Sequence, residues 1–261
     1  MRIYVCVKQV PDTSGTVAVN PDGTLNRASM QTIINPDDLA AMEQALLLKD
    51  ATGCQVTAVT MGPPPAEGML RELLAMGADD AILISAREFG GSDTCATAII
   101  ISTALKKIGY DLVITGRQAI DGDTAQVGPQ IAENLGIPQV SYAEEVDIAG
   151  DVVTVKRQYE DRYHLIDVKL PCLLTALQEL AEPRYMHAGG IIDAYEKEIK
   201  VFGFDDLKDD LNPDFIGLNG SPTKVVTSFG KMAKGAGTKL EVGADEAVAA
   251  IIAKMEERHI I

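Results

Sequence analysis

The sequence predicts an α/β protein: a parallel sheet with helices on both faces, followed by an extended C-terminal arm. Three observations carry that prediction. Short apolar runs of strand length alternate with stretches of helical spacing over the first 135 residues. The first run, Ile3 to Val7, is continuously apolar, as a central parallel strand covered on both faces must be. The stretch from Tyr110 to Leu135 passes from an apolar run through a polar loop into a helix start, the place where α/β sheets bind ligands.

The elements follow in order. Lys8 to Ser14 leaves the carboxyl end of the first strand, and Val17 to Leu25 reads as two short extended arms around an Asn-Pro-Asp-Gly turn. Asn35 is placed to cap a helix with Pro36 in its first position; Leu39, Met42 and Leu46 form its inner stripe, and Gly53 ends it. Val56 to Thr60 is the second strand. It ends at Met61-Gly62 and a three-proline entry into a helix that buries Met69, Leu70, Leu73 and Leu74. Ala81 to Ile84 is the third strand, and Ser92 or Asp93 caps a helix reaching Ile108, closed by Gly109. Asp111 to Thr115 is the fourth strand and Gly116 to Gln126 the loop. Val127 to Leu135 is a helix with Pro129 in its first turn, stopped by Gly136 and Pro138.

The pattern then changes. Glu144 to Val155 has the form of a hairpin about Ala149-Gly150-Asp151, with further strands at Tyr163 to Val168 and Cys172 to Ala176. From Pro183 onward, strand-sized runs and Gly/Pro breaks lead to a last helix, Asp245 to Arg258. The expected division is residues 1–188 as the nucleotide-binding domain and 189–261 as an arm. Residues 190–242 hold little core of their own, and alone they would expose Val201-Phe202 and Phe215-Ile216, so the arm is expected to pack on a partner.

Composition narrows the function. The 261 residues are 46% hydrophobic and 23% charged, which suits a globular chain with a real core. No apolar run has membrane-spanning length, and MRIYVCVKQV reads as a strand rather than a signal peptide. A formal charge of −15 without a basic stripe makes nucleic acid and anionic membranes poor partners, so any phosphate must be held locally. Cys6, Cys54, Cys95 and Cys172 are scattered and His164, His187 and His259 lie far apart, so neither disulfides nor a metal site is expected, and the setting is cytoplasmic.

Two stretches have chemistry in them. In the 116–126 loop, Gly116 and Gly122 allow close backbone approach, Thr124 and Gln126 can donate, and the helix start at Val127 supplies free amides for a phosphate. Asp121 and Asp123 repel phosphate, and read as acceptors for ribose hydroxyls or as caps for loop amides. An ordinary connection with capping aspartates accounts for the same spacing. Phe89 to Thr97 (FGGSDTCAT) offers two glycines and Ser92, Asp93 and Thr94 at a helix start. It is similar to the S-G-G-x-D-S loop of PP-loop adenylating enzymes, but there the loop follows the first strand, where this chain has KQVPDTS. Two such loops on one sheet edge suggest a ligand larger than a mononucleotide. No G-x-G-x-x-G or Walker A motif occurs, and Tyr159, Tyr163, Tyr185 and Tyr195 read as packing residues.

The chain resembles the β subunit of electron transfer flavoproteins over nearly its whole length. VCVKQVPD (5–12), NPDD (35–38), TMGPP (60–64), AMGADDA (75–81), GRQAIDGDTAQVGP (116–129) and PCLLTALQELAEPRYM (171–186) carry the likeness. The resemblance implies a Rossmann-like domain of the adenine nucleotide alpha hydrolase-like kind. It also implies a heterodimer with an α subunit that holds a redox-active FAD. The ordinary members keep AMP in this subunit; the electron-bifurcating branch has FAD instead, and Arg87 to Thr97 resembles that branch. Carried over by position, Cys6, Asn35 and Met61 would contact the adenosine. Gly116, Arg117, Gln118, Ala119, Ile120, Asp121, Gly122, Asp123, Thr124, Ala125, Gln126 and Val127 would hold ribose and diphosphate, and Asp93, Thr94 and Thr97 would approach the flavin. The implied chemistry is oxidation of NADH, with one electron going to ferredoxin and one through the α-subunit FAD to an acyl-CoA dehydrogenase-like enzyme. Partner docking falls on Tyr185, His187, Ala188, Ile191 and Ile192. The family's anchoring leucine is replaced here by Ala188, so docking uses Ile191 and Ile192 or a different dehydrogenase.

Overall fold

Among the described residues nine strands form one sheet, in the order β11 (Lys200–Phe202), β5 (Asp80–Ile84), β4 (Gln55–Met61), β1 (Arg2–Cys6), β6 (Leu112–Gly116), β10 (Cys172–Ala176), β7 (Gln139–Ala149), β8 (Val152–Gln158) and β9 (Tyr163–Lys169). The computed structural model describes residues 1–12, 32–224, 226 and 237–261. At its centre β1 (Arg2–Cys6) lies parallel between β4 (Gln55–Met61) and β6 (Leu112–Gly116). Its side chains alternate between two apolar layers. Ile3 and Val5 enter one with α1 (Pro36–Thr52) and α2 (Glu67–Met76); Tyr4 and Cys6 enter the other with α3 (Thr94–Ile108) and α4 (Val127–Leu135). Burial on both faces explains why the run is apolar without interruption. β5 (Asp80–Ile84) pairs with β4, and β10 (Cys172–Ala176) pairs in parallel with β6.

The far half of the sheet is antiparallel. β7 (Gln139–Ala149) and β8 (Val152–Gln158) form the hairpin, turning at Gly150-Asp151 with Gly150 at φ +67°, and β9 (Tyr163–Lys169) completes the edge. A separate ribbon of β2 (Gln9–Pro11) and β3 (Thr32–Ile34) leaves the carboxyl end of β1; periodicity gave no sign of these three-residue strands. The extended arms expected over Val17 to Leu25 lie outside the described residues.

One expectation is extended and one corrected. α1 buries the expected Met42, Leu46 and neighbouring alanines, with Leu39 half-buried, and Asp37, Asp38, Glu43 and Gln44 besides, because α1 is covered by the sheet, β10 and the turn at 178–180. The arm expected from residue 189 instead joins the main unit through the described residues up to 224. AGGIIDAYE is helical, as α5 (Ala188–Glu196), and packs on α2 where Gly190 lets its backbone meet the Ala75 carbonyl. Arg71 ties the end of α5 down by donating to the carbonyls of Ala194 and Lys197, each at 2.5 Å. β11 (Lys200–Phe202) then extends the sheet beside β5, and Phe202, Leu207, Leu211 and Ile216 are buried in the α3/α4 layer. The short helices α6 (Phe204–Leu207) and α7 (Gly217–Gly220) complete this part. Borrowing an existing core, the segment needs none of its own.

Residues 237–261 fall in a second unit. It contains α8 (Ala244–Glu257), whose Val248, Ile251 and Ile252 form an exposed apolar stripe at helical spacing. Among the described residues no helix is long and apolar enough to cross a membrane.

Candidate functional site

From β1 the chain winds through β4 and β5 to one side, then returns to place β6 on the other side of β1. The sheet's switch point therefore lies between the carboxyl ends of β1 and β6, the crevice in which open α/β sheets take ligands. The 116–126 loop begins there.

The amino end of α1 closes the base of this crevice. Asp38 is buried and accepts from the Lys8 amide through Oδ2 and the Gly116 amide through Oδ1, both at 2.8 Å, so one carboxylate ties both strand ends to α1. Burial pushes its pKa up to about 7, against the hydrogen bonds from Lys8, Gly116 and Asn35, with Asp37 adding to the rise. Gly116 has no room for a side chain. A Cβ there would collide with Asp38 Oδ1 and lie 2.8 Å from Asp37 Cβ, so this glycine serves packing against α1 rather than approach to a ligand. Asn35 occupies the N-cap position of α1 without a side-chain cap; its amide instead donates to the Gln118 carbonyl at 2.8 Å and its oxygen accepts from the Ile120 amide at 3.1 Å. The expected cap is in fact a clamp on the loop. Asp37 faces Arg117 at 3.4 Å, and burial raises its pKa while Arg117 opposes the rise.

The two loop aspartates take side-chain partners. Lys8 Nζ reaches both Asp121 oxygens at 2.8 and 2.9 Å, and Gln118 Nε2 donates to Asp123 at 2.9 Å. Neither caps a loop amide in these bonds. The amides of Gly122 and Asp123 close a turn on the Ala119 carbonyl, and Gly122 has open space where a Cβ would stand. Asp123 and Ala125 have left-handed φ values of 49° and 52°, uncommon for residues with side chains. Ala125 is followed by Gln126 in the right-handed region, and a left–right pair of this kind aims successive amides at one point, an anion-binding nest. α4 starts directly afterwards with no side-chain cap, so its first amides stay available. These donors fit a phosphate.

The second loop meets the first at one hydrogen bond: Thr94 Oγ1 donates to Gln126 Oε1 at 2.9 Å. Thr97 stands half-buried one turn further along α3. Asp93 does not reach outward as expected. Its carboxylate accepts from the Ala96 amide at 3.0 Å, as the N-cap of α3, and from the amide and hydroxyl of Thr223 at 2.9 and 2.7 Å. Partial burial raises its pKa, but the bonds from Thr223 and Ala96 outweigh this and hold it below the usual carboxylate value. Met61 ends β4 half-buried against the α3/α4 layer. Cys6 ends β1 fully within that layer, its thiol pushed up to about 12 by burial and then by Asp38, so it is no thiolate.

Elsewhere, Tyr185 is 97% exposed, and Ile191 and Ile192 are exposed on α5. His187 accepts from the Gly190 amide at 2.9 Å as the cap of α5, and Ala188 is its first residue. Arg184 holds this region through bidentate bonds to the buried Glu43 and a bond to Asp50. Sequence reading missed Lys8, Asp38 and Thr223; the only local signal was the second aspartate of NPDD.

Residues 22–207 match the model of the electron transfer flavoprotein domain family. The chain is 61% identical to the acryloyl-CoA reductase electron transfer subunit gamma of Anaerotignum propionicum. It is 51% identical to the electron transfer flavoprotein subunit beta of Clostridium acetobutylicum and 50% identical to the caffeyl-CoA reductase-Etf complex subunit CarD of Acetobacterium woodii. In all three, both chains are covered over their full length.

Proposed function

The chain belongs to the electron transfer flavoprotein family, among its β subunits, and from that premise we propose that it holds FAD in the β1/β6 crevice and serves flavin-based electron bifurcation. The observation that carries this reading is the Thr94–Gln126 bond, which joins the phosphate-suited loop to the FGGSDT loop as parts of one extended site. Two relatives with full-length coverage bear the names of acryloyl-CoA and caffeyl-CoA reductase complexes, which supports an acyl-CoA-directed role.

In this reading the amides of Ala125, Gln126 and Val127 hold the diphosphate, and Lys8 offsets the charge of Asp121 beside it. Asn35 fixes the loop's height over the crevice, while Thr94 and Thr97 present hydroxyls to the far end of the ligand. FAD would supply two-electron acceptance from NADH and single-electron delivery to ferredoxin and, by way of the α subunit's FAD, to an acyl-CoA dehydrogenase-like enzyme. The protein's part is to bind, orient and tune. The exposed Tyr185, Ile191 and Ile192 would form the dehydrogenase contact, and the stripe on α8 would pack on the α subunit. The setting proposed is cytoplasmic.

One observation favours the second reading, structural AMP. Asp93, expected at the flavin end, has its carboxylate engaged within the chain, while the phosphate donors near α4 stand without it. The flavin content of the α–β complex decides. Two FAD per pair is expected; one FAD with AMP would overturn bifurcation in favour of single-flavin transfer.

A further inference from the structure

Residues 216–223 lie more than 120 positions beyond the FGGSDT loop in the chain, yet they fasten it at four points. The Leu218 amide donates to the Gly90 carbonyl at 3.1 Å, and the Gly217 amide donates to Ser92 Oγ at 3.1 Å. The Asp93 amide donates to Ser221 Oγ at 2.8 Å, and the Ser221 hydroxyl donates to the Gly217 carbonyl at 2.6 Å. The Asp93 carboxylate accepts from the Thr223 amide and hydroxyl. Gly91, at φ +75°, brings its backbone against Leu218, where a Cβ would lie 2.9 Å from Leu218 Cβ.

From this geometry we infer that Ser221 and Thr223 are positioning residues for the cofactor site, acting through Asp93 to hold Thr94 against Gln126. Asp93 is the pivot. One Asp93 oxygen caps α3 through Ala96, and the other is held by Thr223. The next residue is Thr94, whose hydroxyl makes the only hydrogen bond between the two loops found among the described residues. A charged acceptor gripped by three donors is harder to displace than a cap with one, since bonds to ionised groups are the stronger kind. Losing the Thr223 hydroxyl leaves that side of the pivot held by the Thr223 amide alone, which loosens the α3 start and Thr94 with it. A residue remote from the ligand thereby sets the geometry of one that faces it. The inference rests on the reading of Thr94 and Thr97 as contacts for the bound cofactor.

The test compares wild type with Thr223→Val, which keeps the shape and removes the hydroxyl, and Thr223→Ser, which restores it, all as α–β complexes. Three readouts are taken: amide hydrogen exchange over residues 93–97, the FAD dissociation constant, and the potential of the flavin bound by this subunit. In Thr223→Val, exchange should accelerate at 93–97, FAD should bind roughly tenfold more weakly, and the potential should move. Thr223→Ser should return all three towards wild type. Unchanged exchange and affinity in Thr223→Val would overturn the inference, as would failure of serine to rescue, since the hydroxyl alone would then not hold the loop. If wild type retains AMP instead of a second FAD, the bifurcation reading fails by itself. Exchange at 93–97 then still decides whether the latch exists.

Discussion

Gly116 and Gly122 stand six residues apart in one loop, yet the structure gives them opposite sensitivities. An alanine Cβ at Gly116 would meet Asp38 Oδ1, Asp37 Cβ at 2.8 Å and the Asp38 amide nitrogen at 2.9 Å. Two of these three atoms lie at the start of a side chain or in the backbone of α1's first turn, so no rotamer change relieves the clash. α1 must shift, and overpacking of this kind costs about 1–3 kcal/mol. The shift also stretches the 2.8 Å bond from the Gly116 amide to Asp38, whose loss adds ~0.5–3 kcal/mol between a neutral and a charged acceptor. A combined loss of about 1.5–6 kcal/mol, at about 2–4 °C per kcal/mol for a domain of this size, puts the melting temperature of Gly116→Ala roughly 3–24 °C below wild type. Gly122→Ala meets nothing within 4 Å and should melt within about 2 °C of wild type. Thermal unfolding followed by circular dichroism reads both. Equal melting temperatures for the two variants would refute the assignment of Gly116 to packing.

Three further outcomes are expected. Arg184→Met leaves the buried Glu43 without its bidentate partner; since Arg184 is itself about a third exposed, the loss should be ~2–3 kcal/mol, read from the urea midpoint, and a change under 0.5 kcal/mol would deny the clamp. Asp38 has a folded pKa of about 7 against 3.8 in the unfolded chain, so the native state holds a proton the unfolded state releases, and this contribution to stability falls as pH rises from about 4 to about 7. The stability difference between wild type and Asp38→Asn should thus favour wild type most at low pH; a difference that is flat or grows with pH would show Asp38 already ionised. Replacing both Thr94 and Thr97 by valine should weaken FAD retention on gel filtration while AMP still binds, and full FAD occupancy would remove the second loop from the site.

Where periodicity and punctuation act locally, the sequence was legible. The run Ile3 to Val7, the helix from Val127 to Leu135 and the hairpin's turn at Gly150 were read within a residue of where they stand, though the hairpin strands extend five and three residues beyond the Glu144 to Val155 expected. What failed was whatever depends on distant partners. A small polar residue before a helix reads as a cap, and Asn35 has that spacing, but the loop 83 positions away takes its side chain instead. Asp93 does cap, as its spacing suggested, yet nothing near it in sequence announces Thr223. Residues 190–242 read as holding little core of their own because their apolar residues are sparse. Phe202, Leu207, Leu211 and Ile216 are buried by completing a layer supplied by α3 and α4, and an incomplete face carries no period of its own.

The charge problem posed by the sequence also has a physical answer here. A chain of net charge −15 with Asp37, Asp38, Asp121 and Asp123 around one crevice looks hostile to a diphosphate. Each carboxylate, however, lies against a donor of the protein. Asp38 takes two backbone amides, Asp121 takes Lys8, Asp123 takes Gln118, and Asp37 faces Arg117. Two of the four sit against a cation, and Asp38, with a pKa near 7, is partly protonated at neutral pH. The donors left facing the crevice are backbone amides at the Ala125–Gln126 nest and the uncapped start of α4, together with the positive end of that helix. Acidic side chains here shape the loop, and in the proposed reading the backbone amides would hold the anion. A site built this way needs no basic motif, which is why neither a lysine signature nor net charge could have announced it.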